Sequence, residues 1–255
     1  MRFALFGSGS KGNATLVEYG RTRLLVDCGF SVRELERRMA RLDVKGASLS
    51  AILLTHEHQD HVGGIGALAR KYNLPLWLTA GTARQAEKRL GELPQRHLLN
   101  CHAEFSIGDL SVMPFPVPHD AREPCQFVFS DGAKKLGLLT DTGLATTHIL
   151  RQLSGCDALI LECNHDREML RNGPYPPQLQ QRIASALGHL SNEQAAAILQ
   201  QLDTSKLQHL VAAHLSETNN SPELAATALS AALGCEPDWV ALADQDNGLS
   251  WREIH

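Results

Sequence analysis

Aromatic residues are scarce in this 255-residue chain, at 5%, and positive charge is not in excess. With 24 Lys and Arg against 28 Asp and Glu, the formal net charge is −4. That balance gives no general attraction to nucleic acid, so any such contact needs a local basic patch. No apolar run approaches the ~18 uninterrupted residues of a membrane span, so no membrane association is expected. Between Met1 and Gly7 stand only Arg2 and the short run Phe3-Ala4-Leu5-Phe6, too little for the core of an export signal. The six cysteines are scattered without a C-x-x-C. That is the pattern of reduced thiols rather than a disulfide frame, and the expected location is the cytoplasm. Repeats, low-complexity tracts and Pro/Ser-rich linkers are also missing. Only "NGPYPPQ" at 172–178 interrupts the chain, so a single domain over residues 1–255 is expected.

What is present begins with "FALFGSGSKGN" at 3–13. It contains a literal G-x-G-x-x-G after an apolar run, and Asp27 follows Gly7 by twenty residues. A dinucleotide-binding turn needs those glycines to open a helix whose N-terminus holds the pyrophosphate. Here Thr15, Val17 and Tyr19 alternate at period two and Gly20 marks a turn before "LLVD". The segment therefore reads as a β-hairpin, and no nucleotide cofactor is expected. Asn13 also stands where a P-loop requires Lys. Ser8, Ser10 and Asn13 remain small polar residues able to face a site.

Residues 31–42 have helical spacing with Ser31 as cap, 51–54 form a buried strand, and 64–72 a helix. A strand at 74–79 and a charged helix at 82–90 follow. Strands dominate 98–140, through "LLNCHAEFSI", "LSVMPFPV", "CQFVFS" and "KKLGLLT". "ALILECN" at 158–164 and "LQHLVAAH" at 207–214 are further strands. Helices are expected over 177–202 and 222–233. Two strand-rich stretches, each followed by helices, imply two packed sheets with helices outside.

"THEHQDH" at 55–61 follows its strand directly and sets His56, His58, Asp60 and His61 within six residues. A chelating loop needs that density, because several N or O donors must converge at ~2 Å from a metal. Gly63 and Gly64 let the backbone turn beside it. Glu57 and Gln59 lie between the candidate ligands and are expected to face outward, with no role.

This segment resembles the signature of the metallo-β-lactamase-fold hydrolases. The resemblance implies an α/β fold, an αβ/βα four-layer sandwich of two packed mixed sheets with helices outside. It extends to Asp27 ("LLVDCG"), His119 ("PVPHDA"), Asp141 ("LLTDTG") and His214 ("VAAHLS"). By that resemblance His56, His58 and His119 hold one metal, Asp60, His61 and His214 a second, and Asp141 bridges them. Asp27 orients the metal loop through hydrogen bonds. The implied cofactors are two divalent ions, and Zn, Mn or Fe(II) all suit a His/Asp mixture. Two such ions lower the pKa of a bridging water from ~16 towards ~7. β-Lactamases of this fold often carry Cys at the fourth motif, and this chain has none there.

In RNA-processing phosphodiesterases of the fold, a Glu after the fourth motif and a His opening a later helix act at the leaving group. Glu162 ("LECNHD") and His189 ("GHLSN") occupy matching places. A His held by a carboxylate can protonate a departing alkoxide. His165 is a rival for that role, and His189 is also readable as helix-start structure beside Ser191 and Glu193. Together with "GSGSKGN", "YPPQLQQRIAS" and "HLSETNN", these segments are similar to the YycJ/WalJ-like bacterial subfamily along nearly the whole chain.

The subfamily implies a cytoplasmic metal-dependent phosphodiesterase, foremost a 5′→3′ exonuclease on double-stranded DNA, with DNA favoured over RNA. Lys11, Arg122, Arg167, Arg171 and Arg182 are candidates for a local basic groove. The alternatives are a small-molecule cyclic phosphodiesterase, a thioester hydrolase of the glyoxalase II type, and a non-catalytic metal-stabilised binding module. Oligomeric state leaves no signature in the sequence.

Overall fold

The computed structural model describes residues 1–255. The chain starts with β1 (Arg2–Gly7), β2 (Ala14–Tyr19) and β3 (Thr22–Val26), joined as antiparallel neighbours. The opening glycines thus enter a hairpin, as the period-two alternation requires. The next elements are α1 (Val32–Ala40), β4 (Ala51–Leu53), α2 (Gln59–Val62), α3 (Ile65–Tyr72), β5 (Pro75–Leu78), α4 (Ala80–Leu90) and β6 (Gln95–Leu98). β3 to β6 run parallel. Ser31 caps α1 by accepting from the Glu34 amide at 3.3 Å.

The second sheet begins with β7 (Phe105–Ile107), β8 (Leu110–Pro116), β9 (Cys125–Ser130) and β10 (Lys135–Leu139). It continues through α5 (Thr147–Leu153), β11 (Ala158–Glu162), α6 (Arg167–Asn172), α7 (Pro177–Ile183), α8 (Asn192–Leu199), β12 (His209–Ala213), α9 (Pro222–Leu233) and β13 (Ala241–Leu242). β14 (Leu249–Glu253) then returns to pair with β1. The sheet orders are β14-β1-β2-β3-β4-β5-β6 and β13-β12-β11-β10-β9-β8-β7.

Side-chain alternation divides the core. Phe3, Leu5, Val17, Leu24, Val26 and Leu53 pack with Phe127, Phe129, Leu138 and Ile160 between the sheets. Their neighbours Phe6, Leu16, Leu25, Ile52 and Leu54 point the other way, onto α1 and α3. On the far side Leu139, Leu159 and Leu161 pack under Ile149, Ile198 and Leu229 of α5, α8 and α9. The period-two pattern of each strand therefore feeds two cores at once, which produces the four layers.

Two expected elements come out differently. "LLNCHAEFSI" is not one strand, because the His102 amide donates to Asn100 Oδ1 at 2.9 Å and closes a turn. That side-chain turn carries the chain from the first sheet to the second. The helix expected over 177–202 is two helices, since Ser191 and Gln194 form a reciprocal cap that starts α8 afresh. Residues 184–191 between them carry His189.

Two glycines let the loop that follows β4 dock closely. A Cβ on Gly64 would run into the Phe30 carbonyl, and one on Gly29 into the Asp60 carbonyl. Backbone on both sides leaves no flexible group to yield. Gly29→Ala is expected to cost roughly 1–3 kcal/mol of stability in chemical denaturation, as overpacking does. A change within about 0.5 kcal/mol of the unaltered protein, the range of neutral surface substitutions, contradicts that docking.

Candidate metal centre

Parallel strands of both sheets end at one edge, and their C-terminal ends supply the site. Asp27 follows β3, the 55–61 loop follows β4, Asp141 follows β10, Glu162 closes β11, and His214 follows β12. Open α/β sheets place their ligands at such ends. Asp27, Asp141 and His214 adopt positive φ, at 61°, 50° and 56°. Left-handed backbone costs non-glycine residues of order 1–3 kcal/mol and concentrates at functional sites.

The candidate ligands converge in two sets. His56 Nε2 and His119 Nε2 lie 3.0 and 3.2 Å from His58 Nδ1. His61 Nε2 and His214 Nε2 lie 3.4 and 3.5 Å from Asp60 Oδ2. Asp141 stands between the sets. Its Oδ2 is 3.2 Å from His61 Nε2, and its Oδ1 is 3.5 Å from His214 and 4.0 Å from His119. Donors roughly 2 Å from one tetrahedral ion sit about 3.3 Å apart. Asp141 is 2% exposed, yet its Oδ2 has no hydrogen-bond partner. An orphaned buried carboxylate oxygen among imidazole nitrogens fits divalent cations.

Electrostatics agree with that fit. Burial works against charge on His61, but the carboxylates of Asp141, Asp60 and Asp27 outweigh it and raise its pKa well above the ordinary value. His214 is likewise pushed up to about 10, against burial, chiefly by Asp141. Asp141 stays ionised despite burial because His214 and His61 face it. The field that retains these protons is one that retains cations.

Support comes from further residues. Asp27 Oδ1 accepts from the Thr55 amide at 2.9 Å, while Oδ2 accepts from Thr55 Oγ1 and faces His61 Nδ1, both at 2.8 Å. The opening loop reaches the same place. Asn13 Nδ2 lies 3.1 Å from His61 Nε2 and 3.3 Å from Asp60 Oδ2. Ser8 Oγ accepts from the His214 amide at 2.8 Å. Glu57 departs from expectation. It is 8% exposed and accepts from the Arg122 amide at 2.7 Å, tying the loop after His119 to the metal loop. Gln59 is exposed, as expected.

A cavity of about 410 Å³ opens over the cluster, lined by Asp60, Asp141, His214 and His189 among others. His189 Nδ1 lies 2.7 Å from Glu162 Oε1, and Glu162 Oε2 accepts from the amides of Leu190 and Thr142 at 3.1 and 3.0 Å. Burial opposes charge on both partners, yet each stabilises the other. The His189 pKa is raised and that of Glu162 falls to about 2. His165 is not in the cavity wall. It is 2% exposed, and burial pushes its pKa down to about 4.

Of the basic residues singled out, Arg182 lines the cavity. Lys11, Arg167 and Arg171 pair instead with Glu217, Glu193 and Glu168. Arg89, which no motif marked, also lines it. So does Asp120, whose Oδ2 accepts from Arg182 Nε at 2.6 Å. Asp120 Oδ1 lies 3.5 and 3.6 Å from His119 and His58 Nε2. Its place beside His119 in "PHDA" was the available signal.

Residues 22–214 match the family described as the β-lactamase superfamily domain. The chain is 38% identical over 235 residues to exodeoxyribonuclease YycJ of Bacillus anthracis, covering 91% of this chain and 89% of that one. It is also 38% identical over 228 residues to exodeoxyribonuclease WalJ of Streptococcus pneumoniae, covering 88% and 85%. Among solved structures, the metallo-β-lactamase-fold protein YhfI of Bacillus subtilis superposes with a TM-score of 0.78 at 18% identity, over 98% of each chain.

Asp27→Asn is expected to weaken metal binding 10–100-fold while the fold survives, the usual loss when a ligand's supporting carboxylate is removed. Equilibrium metal titration checks this, and an unchanged affinity contradicts the role of Asp27.

Proposed function

The chain belongs to the β-lactamase superfamily, alongside the YycJ and WalJ proteins, and on that premise we propose that it is a divalent-metal-dependent exodeoxyribonuclease acting 5′→3′ on double-stranded DNA. The observation that carries the phosphodiester reading is the His189–Glu162 pair, 2.7 Å apart on the wall of the metal cavity. A thiolate departs without a proton, whereas the alkoxide of a nucleotide needs one. Thioester hydrolysis would leave this pair without employment. DNA as the substrate class follows from the two relatives named as exodeoxyribonucleases.

In this reading His56, His58 and His119 would hold one cation, Asp60, His61 and His214 a second, and Asp141 would serve both. Zn, Mn or Fe(II) suits the donor set. When bound, such ions neutralise charge developing on the phosphoryl oxygens and acidify water. The protein's own residues do the rest. Asp27 and Asn13 orient the loop that carries Asp60 and His61. Glu162 accepts from His189 Nδ1–H and favours the imidazolium, whose second proton, on Nε2, is the one offered to the leaving oxygen. Glu162 itself is held by two backbone amides, which fixes the imidazole that it supports. His165, buried outside the cavity wall with its charged form suppressed, is not assigned the acid role.

One observation favours a second reading. The cavity, at about 410 Å³, suits a small cyclic phosphodiester as well as a strand end. Duplex DNA labelled at its 5′ ends separates the two. Release of labelled mononucleotide at a rate set by the number of ends supports the exonuclease. Turnover of cyclic nucleotides alone supports the second reading.

His189→Ala is expected to keep its metals yet lose roughly 10²–10⁴-fold in turnover on an alkoxide-leaving diester. It should be far less impaired where p-nitrophenolate leaves, since that group needs no proton. Glu162→Gln should show a milder form of the same split. Equal losses on both substrates would return His189 to the scaffold.

A further inference from the structure

The helix over the cavity does not serve the core. None of the residues of α7 is buried, although Leu179 and Ile183 are apolar. They stand one turn apart on one face, and Tyr175 lies four residues earlier. These three and Leu215 are the four hydrophobic residues of the cavity lining. Three of the four thus come from a short segment that turns its apolar face to the metal cluster. An exposed helix without a core partner loses the driving force that ordinarily keeps such a face apolar.

The segment is fastened at one end. Arg182, on α7, is bound through Nε to Asp120, and the Asp120 amide donates to the Leu187 carbonyl at 2.9 Å. The Arg182 side chain nonetheless remains 59% exposed, with nitrogen atoms to spare for an anion. The cavity therefore presents the His/Asp cluster on one side, and an aromatic and aliphatic wall with a guanidinium on the other.

We propose that Tyr175, Leu179 and Ile183 form a nucleobase subsite that receives the base of the terminal nucleotide while its phosphate lies at the metal cluster. This rests on the phosphodiesterase reading and adds the group bound beside the scissile phosphate. The volume suits one nucleotide rather than a stacked pair, being near the lower end of roughly 300–1,000 Å³ for ligand sites. A duplex end must therefore open by one pair before its terminal base reaches the wall. Of the three side chains only the Tyr175 hydroxyl can hydrogen-bond, and a group that both donates and accepts does not discriminate among base edges. Stacking and apolar contact serve all four bases, and removal is expected to be independent of sequence.

Calorimetric binding to the metal-loaded protein tests this without turnover. The ligands are 2′-deoxyadenosine 5′-monophosphate and 2-deoxyribose 5-phosphate, which differ only by the base. The nucleotide is expected to bind more tightly by a factor of roughly 5 to 150, the range for stacking one base. The other three deoxynucleotides should fall within a few-fold of it. Tyr175→Ala and Leu179→Ala should each shrink the nucleotide-to-sugar ratio. Neither Tyr175 nor any α7 residue is buried, so both variants should keep the parental melting temperature. Equal affinity for nucleotide and sugar phosphate overturns the subsite, as does a ratio unmoved in both variants or no nucleotide binding at millimolar concentration. Failure of the exonuclease reading shows separately, as a lack of end-labelled product.

Discussion

Burying carboxylates and imidazoles together at the shared edge of two sheets is the constraint on which this molecule turns. Asp141, His56, His61 and His214 are almost wholly removed from water, and isolated charges in such places are costly unless paired. The structure offsets that cost by mutual pairing, and it carries a second cost in the backbone held in the left-handed region at Asp27, Asp141 and His214. The Oδ2 atom left over on Asp141 is the point at which protein partners run out. A divalent cation there would satisfy it, and strained backbone is what a preorganised ligand set requires.

The fold exists around that edge. Parallel strands from both sheets deliver their ends to one line, and the residues just beyond them form the His/Asp cluster. Everything nearby is arranged to hold rather than to react. Asp27 locks Thr55 and His61, Asn13 and Ser8 bring the opening loop against Asp60 and His214, and Glu57 fastens the loop after His119. The glycine-rich opening is therefore a brace for the cluster, and its likeness to a dinucleotide turn ends with the spelling. Beyond the cluster the chain becomes less constrained, and α7 lies over the cavity without a core of its own.

Much of this was legible because the information is local. The loop at 55–61 packs four donors into a few residues, and Asp27, Asp141 and His214 each follow an apolar strand that periodicity identifies. Asn13, Asp120 and Arg89 were harder, since each matters through a neighbour far away in the chain. Asn13 meets residues 47 and 48 positions on, and Asp120 meets Arg182 across 62. Glu57 misled for a related reason. Its place between ligands suggests an outward side chain, but Thr82 and Arg122 arrive from elsewhere to bury it. The break within 177–202 was hidden by apolar spacing that stays helical on both sides. Only Ser191 and Gln194, a reciprocal cap, marked where the second helix begins.

The most direct measurement is the number of metal ions bound per chain. Protein equilibrated with excess Zn, Mn or Fe(II), freed of unbound ion and subjected to elemental analysis, should retain two ions of the preferred metal. Asp141→Ala should retain less than one, because a single carboxylate faces both ligand sets. One ion or none in the unaltered, folded protein at saturation would contradict the account, as would an Asp141→Ala variant that still holds two.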